Sequence, residues 1–419
     1  MNAFYTPLCY LALSIPMVPV PKGDDVPVVS SKAEAIHHSG MLIDGHNDLP
    51  WRLRADLGDI GFSHTDLSQL LNEGQTDIPR LRKGGVKGQF WSVFIPTSQP
   101  NPARTVSEQI DLVHRMIERY PADFALALSA SDIERATQVK KIAGLIGIEG
   151  GIAIEGSLAQ LRAFYRQGAR YMTLTHSETI GWADSATDEP RHGGLTLFGE
   201  QVVLEMNRLG MLVDLSHVSP DTMRDALRVA KAPVIFSHSS AYAIAPHPRN
   251  VPDEILPLVR ENGGVIMVNF FSGFVVPDYA RAATAARVRI KAENQDPTAF
   301  KAALNDWYKK EAPKYGRGTV ADVADHIQHL VKIAGVDHVG IGSDFDGVSS
   351  VPTGLEDVAT YPRLTQVLLD RGFSESEIHK ILGGNVIRAF RQAEQAALEL
   401  QKTTTPQIDV LPEPADHDS

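Results

Sequence analysis

The stretch MLVDLSHVSPDTMRDALRVAKAPVIFSHSS (Met211–Ser240) contains one complete strand–helix–strand unit. Its apolar runs, Met211–Leu215 and Val234–Phe236, are continuous rather than alternating, the pattern of parallel strands buried on both faces. Between them Ser219-Pro220 reads as a helix cap followed by proline at the first helical position, and Thr222–Ala230 is amphipathic. Each run ends in Ser-His. Because His217 and His238 are separated by one β–α unit, they fall at the same height on adjacent strands.

The same pattern recurs outward along the chain. Further apolar runs are Met41–Gly45, Gln89–Ile95, Ala143–Ile148, Tyr171–Thr175, Val265–Asn269 and Val339–Gly342, which makes eight in all. Helical stretches at Val106–Tyr120, Ser157–Arg166 and Leu195–Arg208 fall between them. Eight strands alternating with helices predict an α/β fold, a (β/α)8 TIM barrel. The rival, a doubly wound open sheet, lacks the G-x-G-x-x-G turn after its first strand. Residues 31–402 are assigned to the barrel. An insertion at about 274–316, between strands seven and eight, holds a helical stretch at Tyr279–Glu293 and shapes the mouth. Residues 1–30 form an N-terminal extension, and 403–419 an extended or disordered tail rich in proline and acid.

Composition limits the function classes. A formal net charge of −11 argues against nucleic acid as partner. With one cysteine, Cys9, there is no intramolecular disulfide framework and no thiolate metal site, so any metal must be held by histidine and carboxylate. The apolar run Leu8–Val20 is broken by Pro16 and Pro19 and has no basic residue before it. It reads as no functional secretory signal and is too short to span a membrane. A cytoplasmic location is favoured over a periplasmic or exported one.

In a barrel enzyme the reactive side chains sit at the C-terminal ends of the strands. Here those ends carry His46 and Asp48, Glu149, His176, His217, His238, and Asp344 with Asp346. A single histidine at such a position is more often a hydrogen-bonded structural residue; the recurrence at consecutive strand ends favours metal binding. His46 and Asp48 are an i, i+2 pair, which in a strand points both to one side. Imidazole and carboxylate without thiolate suit zinc, with manganese, cobalt or iron as alternatives. Five donors suit two ions sharing Glu149: His46, Asp48 and Glu149 for one, Glu149, His217 and His238 for the other. One ion with surrounding hydrogen-bonded residues is the alternative. Two ions holding a shared hydroxide would serve hydrolysis of an amide or ester. His176 is placed to stabilise the oxyanion and Asp344 to move the proton; Asp346, followed by Gly347, fits a structural turn better. Arg249 could clamp a substrate carboxylate or equally pair with a loop acid. His64, His192, His326, His329 and His379 match no such position and read as surface or structural residues.

The runs DGHNDLPW (Asp44–Trp51), GIEGG (Gly147–Gly151), LTHS (Leu174–Ser177) and LSHVS (Leu215–Ser219) resemble the membrane (renal) dipeptidase family. So do FSHSS (Phe236–Ser240), RNVPD (Arg249–Asp253), GSDFDG (Gly342–Gly347) and GGN (Gly383–Asn385). The resemblance runs from about Ile36 to Arg391. It implies a barrel of amidohydrolase type that binds two zinc ions per chain, bridged by Glu149 and a hydroxide, and cleaves free dipeptides. Position by position it implies His46 and Asp48 as ligands of the first zinc, Glu149 as the bridge, and His217 and His238 as ligands of the second. It further implies His176 as the group polarising the substrate, Asp344 as the proton-transferring acid and Arg249 as the contact to the substrate's C-terminal carboxylate. The family's habit points to a homodimer. Mammalian members use disulfides and a C-terminal lipid anchor; neither matches the single cysteine and acidic, Pro-rich tail here, so a bacterial-type soluble enzyme without an anchor is expected. The family's tyrosine soon after strand seven is replaced by Asn269-Phe-Phe-Ser-Gly-Phe274. A lactam, a lactone or an N-acyl amino acid is the alternative substrate, and an inactive barrel that only binds is the alternative from another class.

Overall fold

The computed structural model describes residues 26–407. The first 25 residues of the expected N-terminal extension, with the run Leu8–Val20 and Cys9, and the tail from 408 onward lie outside the described residues.

Nine strands make one sheet: β1 (Leu42–Asn47), β2 (Val86–Phe94), β3 (Phe124–Leu126), β4 (Ile142–Glu149), β5 (Ala169–Thr173), β6 (Leu212–Asp214), β7 (Ile235–Phe236), β8 (Val265–Val268) and β9 (Val339–Ile341). The order is β2-β1-β9-β8-β7-β6-β5-β4, and pairing of β2 with β4 from Gly88↔Ala143 to Phe94↔Glu149 closes it into an eight-stranded parallel barrel. The fold expected from the sequence is borne out, with one addition. β3 lies beside the first residues of β4 (Phe124↔Ile142), below the point where β5 takes up pairing at Ile146. It is followed by a helix at Ala130–Gln138 that the sequence reading did not separate from the connection.

Side chains alternate across a strand, and a closed sheet turns that alternation into an inside and an outside. Ile43, Phe90, Leu145, Tyr171, Leu212, Ile235 and Met267 form one cluster, which continues onto Val386 and Phe390 of the C-terminal helix Asn385–Thr403. Their strand neighbours Leu42, Trp91, Ile146, Met172, Val213, Phe236 and Val268 belong to a second cluster shared with the surrounding helices. The C-terminal helix is held at the barrel floor by Asn385, whose Nδ2 donates to Val336 O (2.7 Å) and Val339 O (2.8 Å). Gly383, just before it, passes so close to β1 that a Cβ would lie 1.9 Å from Met41 O.

The helix after β6, Pro220–Val229, begins as its sequence dictates: Ser219 Oγ accepts from Thr222 N and proline fills the first position. Between β8 and β9 lie helices Pro277–Glu293 and Pro297–Lys310, packed through an apolar cluster of their own that includes Phe271, Tyr279, Ile290, Leu304 and Trp307. Two contacts tie this unit to the loop after β5: Arg287 Nε donates to Thr187 O (2.9 Å), and Lys291 Nζ meets Asp188 (2.6 Å). No described helix is long and apolar enough to cross a membrane.

Candidate metal centre and substrate site

The residues singled out by the sequence converge at the C-terminal mouth of the barrel, though most lie one to three positions past the strand ends. His46 is in β1, and Asp48 follows it at the cap of a short helix, φ −93° and ψ 19°. The turn brings His46 Nε2 within 3.3 Å of Asp48 Oδ2, so convergence comes from the cap and not from strand alternation. His176 lies beyond β5, His217 beyond β6, His238 beyond β7 and Asp344 beyond β9. His217 (φ 72°) and Asp344 (φ 66°) sit in the left-handed region, which costs a non-glycine residue about 1 kcal/mol or more and persists at sites the surroundings over-determine.

Glu149, at the end of β4, is the hub. Its Oε2 is 3.4 Å from His46 Nε2, while its Oε1 is 3.0 Å from His217 Nε2, 3.5 Å from His238 Nε2 and 3.6 Å from His176 Nε2. Ser92 Oγ steadies the carboxylate by donating to Oε2 (3.2 Å). Three groups of donor atoms are close enough to share an ion: His46, Glu149 and His238; Glu149, His176 and His217; and His46, Asp48 and Asp344. Nearly all these side chains are buried, His176 being half-buried.

The donor chemistry fits a cation. His46 Nε2 is buried without a hydrogen-bond partner among the described residues, yet faces oxygens of two carboxylates. His217 Nε2 and His238 Nε2 approach each other to 2.9 Å. Buried groups left so are costly unless a charge of the right sign binds them.

Electrostatics divide the cluster. Burial opposes charge on Glu149, but His46 and His176 beside it, with hydrogen bonds from His217 and His238, hold its pKa well below the usual carboxylate range. Burial likewise opposes charge on His46; Tyr171, Glu149 and Asp48 outweigh it and lift the ring well above the ordinary value. His217 and His238 go the other way, depressed first by burial and then by Arg249 and His176 for the former and His46 for the latter. Burial, only partly offset by Glu149, lowers His176 to about 4 and so keeps the ring neutral. Asp344 is pushed up to about 8 by burial, with Asp48 and Glu149 adding like-charge repulsion against the opposing pull of His46. Asn269 Nδ2 donates to its Oδ2 at 2.8 Å.

Arg249 is also buried. Its Nη1 and Nη2 reach Ser239 Oγ (3.4 Å) and His238 O (3.3 Å), its Nε has no partner among the described residues, and its Cζ lies 5.3 Å from the centroid of the Phe274 ring. No acid among the described residues forms a salt bridge with it, so the loop salt bridge open from the sequence is not seen there. Asp346 accepts from Gln75 N (2.8 Å) and lies 3.8 Å from Arg52 Nε, away from this cluster, as its turn suggested. His326 and His379 bond backbone carbonyls of Val275 and Ile36, and His329 pairs with Asp253.

Residues 30–404 match the family described as membrane dipeptidase, peptidase family M19. The chain belongs to this family. Dipeptidase aclJ of Aspergillus oryzae (strain ATCC 42149 / RIB 40) is 42% identical over 384 residues, covering 88% of this chain and 82% of that protein. Among solved structures, the probable dipeptidase PvdM from Pseudomonas aeruginosa superposes with a TM-score of 0.76 at 24% identity, covering 87% of this chain and 98% of that one. A metallo peptidase from Rhodobacter sphaeroides, liganded with a phosphinate mimic of the dipeptide L-Ala-D-Ala, gives 0.67 at 25% identity over 84% and 99%. The chain is thus a metal-dependent peptide-bond hydrolase of dipeptidase type, and the fold, family and reaction expected from the sequence stand. The hydrogen-bonding shell behind the donors was not legible. Tyr171, Ser237 and Asp214 carry no local pattern, because each acts on a residue of another strand or through a neighbour.

Proposed function

We propose that this dipeptidase works with two zinc ions shared by Glu149, and that His176, Asp344 and Arg249 act on the substrate. The observation that carries the reading is the division of Glu149: one oxygen faces His46 and the other faces His217 and His238. When bound, the ions supply an activated water near neutral pH and polarise the scissile carbonyl. Arg249, buried and without an acid partner, receives the substrate's terminal carboxylate in a site that water cannot screen. His176, held neutral, donates a hydrogen bond where negative charge develops on the carbonyl oxygen. Asp344, raised to about 8 chiefly by burial, takes a proton from the attacking water and returns it to the leaving amine; Asn269 fixes its orientation. A single carboxylate receptor one residue from the reacting carbonyl explains a preference for free dipeptides.

The test is metal analysis combined with a substrate panel. Two zinc per chain, loss of activity on chelation, and hydrolysis of L-L or L-D dipeptides in preference to tripeptides and lactones are expected. Fully loaded protein that leaves every dipeptide intact, or that prefers lactones, would overturn the reading. A homodimer, the family's habit, is the assembly expected by light scattering on the same sample.

A further inference from the structure

We propose that Tyr171 is a positioning residue that fixes which nitrogen of His46 faces the metal centre, and that Ser237, backed by Asp214, does the same for His238. The inference rests on reading His46 and His238 as ligands and adds what orients them. His46 Nδ1 lies 2.9 Å from Tyr171 Oη, and Tyr171 Oη lies 3.2 Å from Gly45 O. A carbonyl has no proton to give, so the phenol hydrogen goes to Gly45 O. The phenol oxygen then accepts, and only a protonated Nδ1 can donate to it. Nε2 is then the nitrogen left to face the metal, aimed between Asp48 and Glu149.

The second relay has the same logic. His238 Nδ1 is 2.7 Å from Ser237 Oγ, and that hydroxyl is 2.6 Å from Asp214 Oδ2. Asp214 also accepts from Thr173 Oγ1, Ser216 N and Ser237 N, so it is committed as an acceptor. The serine proton goes to the carboxylate, the serine oxygen accepts from Nδ1–H, and Nε2 is again the nitrogen left to face the metal. His217 provides the contrast within the same centre: its Nδ1 is buried with no hydrogen-bond partner among the described residues.

Tyr171 reaches His46 only because the barrel leaves it room. It stands on β5, crosses the interior to β1, and its ring passes over Gly147 of β4, where a Cβ would lie 2.0 Å from Cζ. A core aromatic needs neither the hydroxyl nor this clearance.

The experiment separates packing from positioning. In zinc-loaded wild-type protein with 15N-labelled histidine, His46 and His238 should each show a protonated Nδ1 and an Nε2 shifted by the metal. Tyr171→Phe keeps the ring and removes the acceptor; it should weaken one zinc equivalent about 10- to 100-fold in chelator competition and turn His46 into a mixture of tautomers. Ser237→Ala should do the same to His238 and leave His46 unchanged. An Nε2–H tautomer in the wild type, or wild-type zinc affinity and tautomers in both folded variants, would overturn the proposal. His46→Ala is the separate control: if it retained two tightly bound zinc ions, the ligand assignment itself would fall.

Discussion

Asp344→Asn separates catalysis from stability at one atom. The backbone at this position is left-handed, φ 66°, a conformation asparagine adopts as readily as aspartate, so the variant keeps its loop. Its amide oxygen can still accept from Asn269. What disappears is the proton-carrying carboxyl, and loss of a general acid–base group costs about 10²- to 10⁴-fold in kcat. The stability effect has the opposite sign. In the metal-free protein the carboxyl pKa rises from 3.8 to about 8, so between those values the unfolded chain is ionised while the folded one is not. Native stability therefore falls as pH rises through that window. At pH 7 the ceiling is about 4 kcal/mol, from about 1.36 kcal/mol for each pKa unit. Urea unfolding of chelated protein should show the variant more stable at pH 7, with the difference vanishing near pH 4. Kinetics on the zinc-loaded form should show the kcat loss at unchanged zinc content. Activity within a few-fold of wild type would refute the proton role; a stability difference independent of pH would refute the electrostatic one.

Arg249→Ala should lower kcat/KM for dipeptides by about 2–5 kcal/mol, from tens- to thousands-fold, the scale for removing one partner of a buried charge pair. A dipeptide amide, which lacks the carboxylate, should lose far less; equal losses on both substrates would place Arg249 outside the carboxylate site. Acid should also act through two histidines outside the metal cluster. His37 and His326 are depressed to about 4, chiefly by burial, each with both ring nitrogens bonded. Below the ordinary value of 6.5 the unfolded chain binds protons that the native rings do not, so stability is lost as pH falls from 6.5 towards 4. Each ring contributes about 2 kcal/mol of that loss between pH 7.5 and 5. His326→Gln should flatten the pH dependence of urea unfolding by that amount, and an unchanged slope would refute it.

The barrel was legible because burial on both faces makes each of its strands a continuous apolar run, a pattern that survives even in two-residue β7. β3 was not, since Phe124–Leu126 is three residues long and pairs only at the edge of β4. The positions of His46, Glu149, His217 and His238 could be read from strand ends, which a barrel gathers automatically. Asp48 was found for a different reason than the one that holds: it sits beyond the strand, at a helix cap. The shell behind the donors depends on contacts such as Tyr171 to His46, between strands on different sides of the barrel, and no spacing in the sequence encodes such a crossing. Arg249 stood open between two partners until its burial and the lack of a salt bridge to any described acid removed the loop pair.

The closure of the barrel has a consequence for biosynthesis. β9 pairs with β1 through Ile341↔Asp44, and the Asp44 carboxylate accepts from Ser343 N and Ser343 Oγ, both at 2.7 Å. The first donor strand is therefore anchored on one side by a segment 299 residues later in the chain. A nascent chain that has emitted His46, Glu149, His217 and His238 can pair β1 with β2 but still lacks β9 on its other edge. A polypeptide truncated before β9 would carry those four residues in an unclosed sheet, so metal retention would report on whether the barrel had closed.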